Sequence, residues 1–118
     1  MKRILVAEDN DSNYMLMTYI LKSHYEIFRA KNGVEAVEKA KAEAPDLILM
    51  DIKMPLMDGL EATRHIKAEV PDIPIIALTA NAFDEDVQRS LQAGLNAHLS
   101  KPVQPEVLFE TLESLIRL

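Results

Sequence analysis

Three short runs in the chain are apolar at every position: Ile4-Leu5-Val6-Ala7, Leu47-Ile48-Leu49-Met50 and Ile75-Ile76-Ala77-Leu78. Runs of this length, bounded by polar turns, read as strands buried on both faces of a sheet. Two further runs, Tyr25-Glu26-Ile27-Phe28-Arg29 and Ala97-His98-Leu99-Ser100, mix polar with apolar residues and read as less covered strands. Between them the period lengthens to that of a helix. Leu16, Met17, Ile20 and Leu21 predict a first helix, the Ala/Glu/Lys-rich stretch from Val34 to Ala44 a second, and Gly59 to about Glu69, through Leu60 and Ile66, a third. A fourth is expected from Phe83 to Gln92, stopped by Gly94, and a fifth after Pro105 with Val107, Leu108, Leu112, Leu115 and Ile116 buried. Asn32-Gly33, Pro45 and Pro71 punctuate the pattern.

Strand and helix therefore alternate five times. Right-handed crossovers turn such alternation into a parallel sheet covered by helices on both faces, a doubly wound (βα)5 α/β fold. The two mixed strands belong at the edges, which the order 2-1-3-4-5 satisfies, and the switch point then lies between the first and third strands.

The 118 residues suffice for one domain, expected to span residues 1–118, that buries roughly two thirds of its unfolded surface. No apolar run approaches the roughly 20 residues of a membrane span, and Met1-Lys2-Arg3 leads into a strand without a signal-peptide core, so no membrane insertion and a cytoplasmic location are expected. The absence of cysteine excludes disulfides and thiolate metal sites. A net charge of −6 argues against nucleic-acid binding and suits a cation site.

Chemistry concentrates where the apolar runs end. Glu8-Asp9, Asp51, Thr79 and Lys101 follow four different runs, and parallel strands would gather all five side chains at one sheet edge. Singly, each has a plainer reading: acids after a strand cap helices, and Asp9-Asn10-Asp11-Ser12 holds good cap residues. Gathered, three carboxylates repel one another unless a cation or Lys101 compensates.

Asp51-Ile52-Lys53-Met54-Pro55-Leu56-Met57-Asp58-Gly59, with Glu8-Asp9 upstream and Leu78-Thr79-Ala80 and Lys101-Pro102 downstream, resembles the receiver domain of two-component response regulators, a flavodoxin-like, chemotaxis-regulator-like family. Ala7-Glu8-Asp9-Asn10 and Leu78-Thr79-Ala80-Asn81-Ala82 are further similar to receivers fused to hybrid histidine kinases. The resemblance implies a phosphorelay switch, not a conventional enzyme, in which Asp51 accepts a phosphoryl group from a phosphohistidine on a histidine kinase or histidine phosphotransfer protein. It implies Mg²⁺ held by Asp9, Asp51 and the Lys53 carbonyl, with Glu8 acting through water. Lys101 and Thr79 would bind the phosphoryl oxygens, with self-phosphorylation and self-dephosphorylation tuned by Lys53 and Asn81. Lys101-Pro102 would be cis. Phosphorylation would move Thr79 and rearrange the face formed by the fourth predicted helix, the fifth strand and the last helix. His98 stands where the family's aromatic switch residue is usually Tyr or Phe, and is a departure. Asp58-Gly59 would shape the loop after Asp51, Gly59 by supplying a backbone conformation other residues resist. His24 and His65 read as exposed helix residues.

With the chain ending at the last helix, output is expected through contact with a downstream protein, and phosphorylation-dependent homodimerisation is compatible with it. Two other functions fit parts of the pattern. An aspartyl-phosphate phosphatase also uses an Asp with Mg²⁺, but would want a second Asp where Lys53 stands. An interaction domain that never takes up phosphate, or a flavodoxin-type cofactor binder, would share the fold; for the latter, Glu8-Asp9 would repel the cofactor's phosphate.

Overall fold

The computed structural model describes residues 1–80 and 94–116. The predicted fourth helix and Asn81 lie outside them. Among the described residues nine elements follow in order: β1 (Arg3–Ala7), α1 (Asp11–Leu21), β2 (Glu26–Ala30), α2 (Gly33–Glu43), β3 (Leu47–Asp51), α3 (Gly59–Glu69), β4 (Ile75–Thr79), β5 (Ala97–Ser100) and α4 (Pro105–Leu115). The strands form one parallel sheet in the order β2-β1-β3-β4-β5, with the mixed strands at its edges, as their patterning requires.

Side chains alternate across the sheet and feed two cores. Leu5, Ile48, Met50, Ile75 and Ala77 pack with Ala36, Ala40, Leu60 and Ile66 of α2 and α3. Ile4, Val6, Leu47, Leu49, Ile76 and Leu78 pack on the other face with Met17 and Leu21 of α1 and Leu108 and Leu112 of α4. Both faces of β1, β3 and β4 are thus covered, which is why the runs at residues 4–7, 47–50 and 75–78 hold no polar position. Among the described residues no helix is long and apolar enough to cross a membrane.

Local chemistry starts the helices where expected. The Asn10, Asn32 and Asp58 side chains accept from the backbone N–H groups of Asn13, Glu35 and Glu61, caps that contribute about 1 kcal/mol each. Pro105 begins α4, where its missing N–H is harmless.

Some expectations are corrected. Val107, expected to be buried, is 46% exposed, because the 100° step per residue that turns Leu108 and Leu112 to the sheet turns it away, and Leu115 is only partly buried; in α1 the same step leaves Leu16 51% exposed beside buried Met17. His24 follows α1 in a turn and packs edge-on against Phe109, whereas His65 is an exposed residue of α3. Gly59 is required for space: a Cβ there would stand 2.2 Å from the Asp51 carbonyl oxygen, and its φ is not left-handed. Gly33 is hemmed in likewise, with the Met57 carbonyl oxygen 2.1 Å from any added Cβ.

Candidate functional site

The parallel register brings the C-terminal strand ends level: Ala7 lies beside Met50, Asp51 beside Leu78, and Thr79 beside Ser100. Asp51 and Thr79 are the last residues of their strands, Glu8 and Lys101 follow a strand directly and Asp9 stands one residue further on, so the sheet gathers all five at one edge. Glu8, Asp51 and Thr79 are buried there, Lys101 is half-buried and Asp9 is exposed.

Lys101 is the cation at the centre. Its Nζ lies 3.0 Å from Asp51 Oδ2 and 3.2 Å from Glu8 Oε1, bridging β1 and β3 from beyond β5. Its peptide to Pro102 is cis, and its backbone N–H donates to the Thr79 carbonyl at 2.8 Å. The other oxygen of each carboxylate meets a backbone donor: Asn10 N–H reaches Glu8 Oε2 at 3.2 Å, and Lys53 N–H reaches Asp51 Oδ1 at 3.3 Å.

One carboxylate oxygen from each of Glu8, Asp9 and Asp51 lies within 4.8 Å of the others. Burial raises the Glu8 pKa above its ordinary value, the hydrogen bond and charge of Asp51 raise it further, and the Asn10 N–H and Lys101 offset part of the rise. For Lys101, burial favours the neutral amine, but the bonds and charges of Asp51 and Glu8 outweigh it and raise the pKa. Three carboxylates around one ammonium leave an excess of negative charge, and an all-oxygen donor set suits a hard divalent cation such as Mg²⁺. The Thr79 Oγ1 is buried with no hydrogen-bond partner among the described residues. A buried hydroxyl without a partner loses about 1–3 kcal/mol, so it marks a place where an acceptor oxygen fits.

His98 is half-buried on β5, in register with Ala77, and the alternation of side chains puts it on the same sheet face as Thr79. A cleft beside the cluster is lined by Glu8, Asn13, Leu16, Met17, Lys101 and Val103, which gives exposed Leu16 a setting at the site's margin.

Two features escape sequence reasoning. The Glu8–Lys101 pair joins residues 93 positions apart. Arg29, at a polar position of edge strand β2, donates to the backbone of the Glu8-Asp9 loop at 3.0 and 3.2 Å. The one available signal was a long cation near the end of a strand predicted to adjoin β1.

Comparison with known proteins shows the family. Residues 4–113 match the family model of the response regulator receiver domain. The polar-differentiation response regulator DivK of Brucella anthropi is 41% identical over 116 residues, covering 96% of this chain and 94% of that protein. The receiver domain of a sensor histidine kinase from Pseudomonas aeruginosa, solved with a magnesium ion coordinated in its active-site cleft, superposes with a TM-score of 0.91 at 39% identity, covering 97% of this chain and 96% of that one. The receiver domain of the Saccharomyces cerevisiae response regulator Ssk1, crystallised with the histidine phosphotransfer protein Ypd1, superposes with a TM-score of 0.90 at 30% identity over 97% of this chain and 88% of that one. The chain belongs to the response regulator receiver domain family of two-component signalling.

Proposed function

We propose that residues 1–118 act as one receiver domain that accepts a phosphoryl group on Asp51 from a phosphohistidine and answers by changing its contacts with other proteins. The observation that carries the proposal is the meeting of Asp51, Lys101, Glu8, Asp9 and the unpartnered Thr79 hydroxyl at one sheet edge.

Asp51 is the nucleophile. One of its oxygens attacks the phosphorus, the O–P bond forms as the P–N bond to the donor imidazole breaks, and the leaving imidazole takes up a proton. The backbone N–H of Lys53 and the ammonium of Lys101 hold the carboxylate in place beforehand. Phosphoryl transfer asks mainly for positioning and charge stabilisation. Lys101 supplies a charge-assisted donor to the phosphoryl oxygens, and the Thr79 hydroxyl gains the acceptor it lacks. Glu8, Asp9, Asp51 and the Lys53 carbonyl would hold Mg²⁺, which when bound supplies neutralisation of charge on the phosphoryl oxygens. Lys53, and Asn81 outside the described residues, would tune how long the phosphate survives.

Partners follow from the donor. A histidine kinase or histidine phosphotransfer protein supplies the group in the cytoplasm, a reading supported by the relative crystallised with a phosphotransfer protein. Movement of Thr79 toward the phosphate carries the signal to β5, with His98 on the same face as the switch residue and a downstream protein as the reader.

The test is intact mass after incubation with acetyl phosphate and Mg²⁺, beside an EDTA control and Asp51→Asn. One phosphoryl adduct, absent from the variant and the control, is expected. No adduct, together with no beryllofluoride complex, refutes the reading and leaves a domain that interacts without phosphate.

A further inference from the structure

Asp9 differs from the other acids of the cluster. Lys101 and backbone amides hold Glu8 and Asp51, but among the described residues no hydrogen bond or ion pair holds the exposed Asp9 carboxylate. Its direction is therefore set by the backbone beneath it.

That backbone is gripped by Arg29. Its Nε donates to the Glu8 carbonyl at 3.0 Å and its Nη2 to the Asp9 carbonyl at 3.2 Å, while Nη1 lies 2.9 Å from Asp11 Oδ1. One guanidinium thus engages two of the three residues that join β1 to α1 and the first residue of α1 itself. The fork is itself fixed: it lies 4.7 Å from the centroid of the Tyr14 ring, its side chain is only 17% exposed, and its own carbonyl accepts from Lys39 of α2. A planar donor set fixed by stacking holds its acceptors with little loss of entropy.

We propose that Arg29 is a positioning residue for the cation site: it fixes the Glu8-Asp9 backbone so that the Asp9 carboxylate converges with Glu8 and Asp51. The inference rests on the proposed Mg²⁺-dependent chemistry. Among the described residues the Arg29 fork reaches the Glu8 and Asp9 carbonyls and the Asp11 carboxylate, not the carboxylates of the cluster, so it acts there through its hydrogen bonds to the loop. Charge and positioning predict opposite signs. Removing a nearby positive charge would tighten Mg²⁺ binding, whereas freeing the loop weakens it.

The experiment titrates Mg²⁺ into wild type, Arg29→Ala and Arg29→Lys by calorimetry, with acetyl phosphate labelling across Mg²⁺ concentrations and the melting temperature in EDTA alongside. Groups that orient metal ligands typically change affinity by about tenfold or more, so the Kd of Arg29→Ala is expected to rise about tenfold. Labelling should fall at low Mg²⁺ and recover at saturation. Arg29→Lys keeps the charge and the stem but loses the fork; its Kd should also rise, with a melting temperature near wild type. It decides the matter if Arg29→Ala does not fold. An unchanged or tighter Kd, or full rescue by lysine, overturns the inference while leaving the Asp51 chemistry intact. Failure of wild type itself to bind Mg²⁺ overturns the proposed function and this inference with it.

Discussion

Removing a carboxylate from the site should make the metal-free domain more stable. In Asp9→Asn the fold keeps its shape, because no hydrogen bond or ion pair among the described residues depends on that carboxylate, while two like-charged neighbours within 4.8 Å lose a repelling partner. Two unit charges at that distance repel by about 0.9 kcal/mol in water and about 3.5 kcal/mol at an effective dielectric of about 20. Asp9 is exposed, so the watery end applies to each of its two neighbours. The expected gain is about 1–2 kcal/mol, or about 4–8 °C in melting temperature for a domain of this size. Mg²⁺ should reverse the ranking. At a hundred times its Kd a ligand bound only by the folded state adds about 2.7 kcal/mol, more than the variant's gain, and the variant should lose most of that response. Urea or thermal unfolding of both proteins, in EDTA and in Mg²⁺, measures all four values. An Asp9→Asn protein less stable than wild type in EDTA would refute the argument, since Asp9 would then be held by an attraction.

Glu8 gives the metal-free domain a pH dependence of definite sign. Its folded pKa is raised above 4.5, so its contribution is fully present below that pH and lost as pH rises through the folded value; Lys101, raised from 10.5, does not titrate in this range. Wild type in EDTA should therefore lose stability relative to Glu8→Gln between pH 4.5 and neutrality, and parallel urea-stability profiles would count against it. Adding a methyl group at Gly33 or Gly59 should cost about 1–3 kcal/mol or more, because each Cβ would meet a carbonyl oxygen, at 2.1 and 2.2 Å. Gly59→Ala should also slow acetyl phosphate labelling, since the carbonyl it pushes belongs to Asp51; equal labelling rates in the two variants would contradict that second part.

What could be read in the sequence was what short range decides. The runs of β1, β3 and β4 are apolar throughout because helices cover both faces, so their pattern gave both strand identity and central position. The caps Asn10 and Asp58 act on amides three residues away. Helix orientation was less legible: Leu16 and Met17 are equally apolar, and only docking against the sheet decides that Met17 is buried. Gly59 misled for a related reason. A left-handed backbone and a close approach leave the same residue in the sequence, and the oxygen that excludes a side chain at Gly33 belongs to Met57, in a loop beyond the next strand. For the site, the positions of Asp51, Thr79 and Lys101 at strand ends foretold their convergence, but not that Lys101 reaches Glu8 as well as Asp51. Arg29 was hidden because a cation on a mixed edge strand normally points to water.

The bridging position of Lys101 bears on how the proposed switch would respond. Glu8, Asp9 and Asp51 already outnumber the one ammonium, and an aspartyl phosphate replaces a single charge with about −1.5 to −2. The modified site therefore favours a divalent cation and draws Lys101 toward the new oxygens. Any such movement loosens Lys101 from Glu8, whose buried carboxyl then depends more on the cation. It also pulls on β4, because the backbone N–H of Lys101 is bonded to the carbonyl of Thr79, the residue whose hydroxyl lacks an acceptor. Thr79 and Lys101 are thus a linked pair, and a variant of either should shift the phosphate response of the other. Their coupling in a double-mutant cycle, read from beryllofluoride affinity, should be non-additive by about 0.5 kcal/mol or more. Additive effects would mean that the two groups reach the phosphate independently.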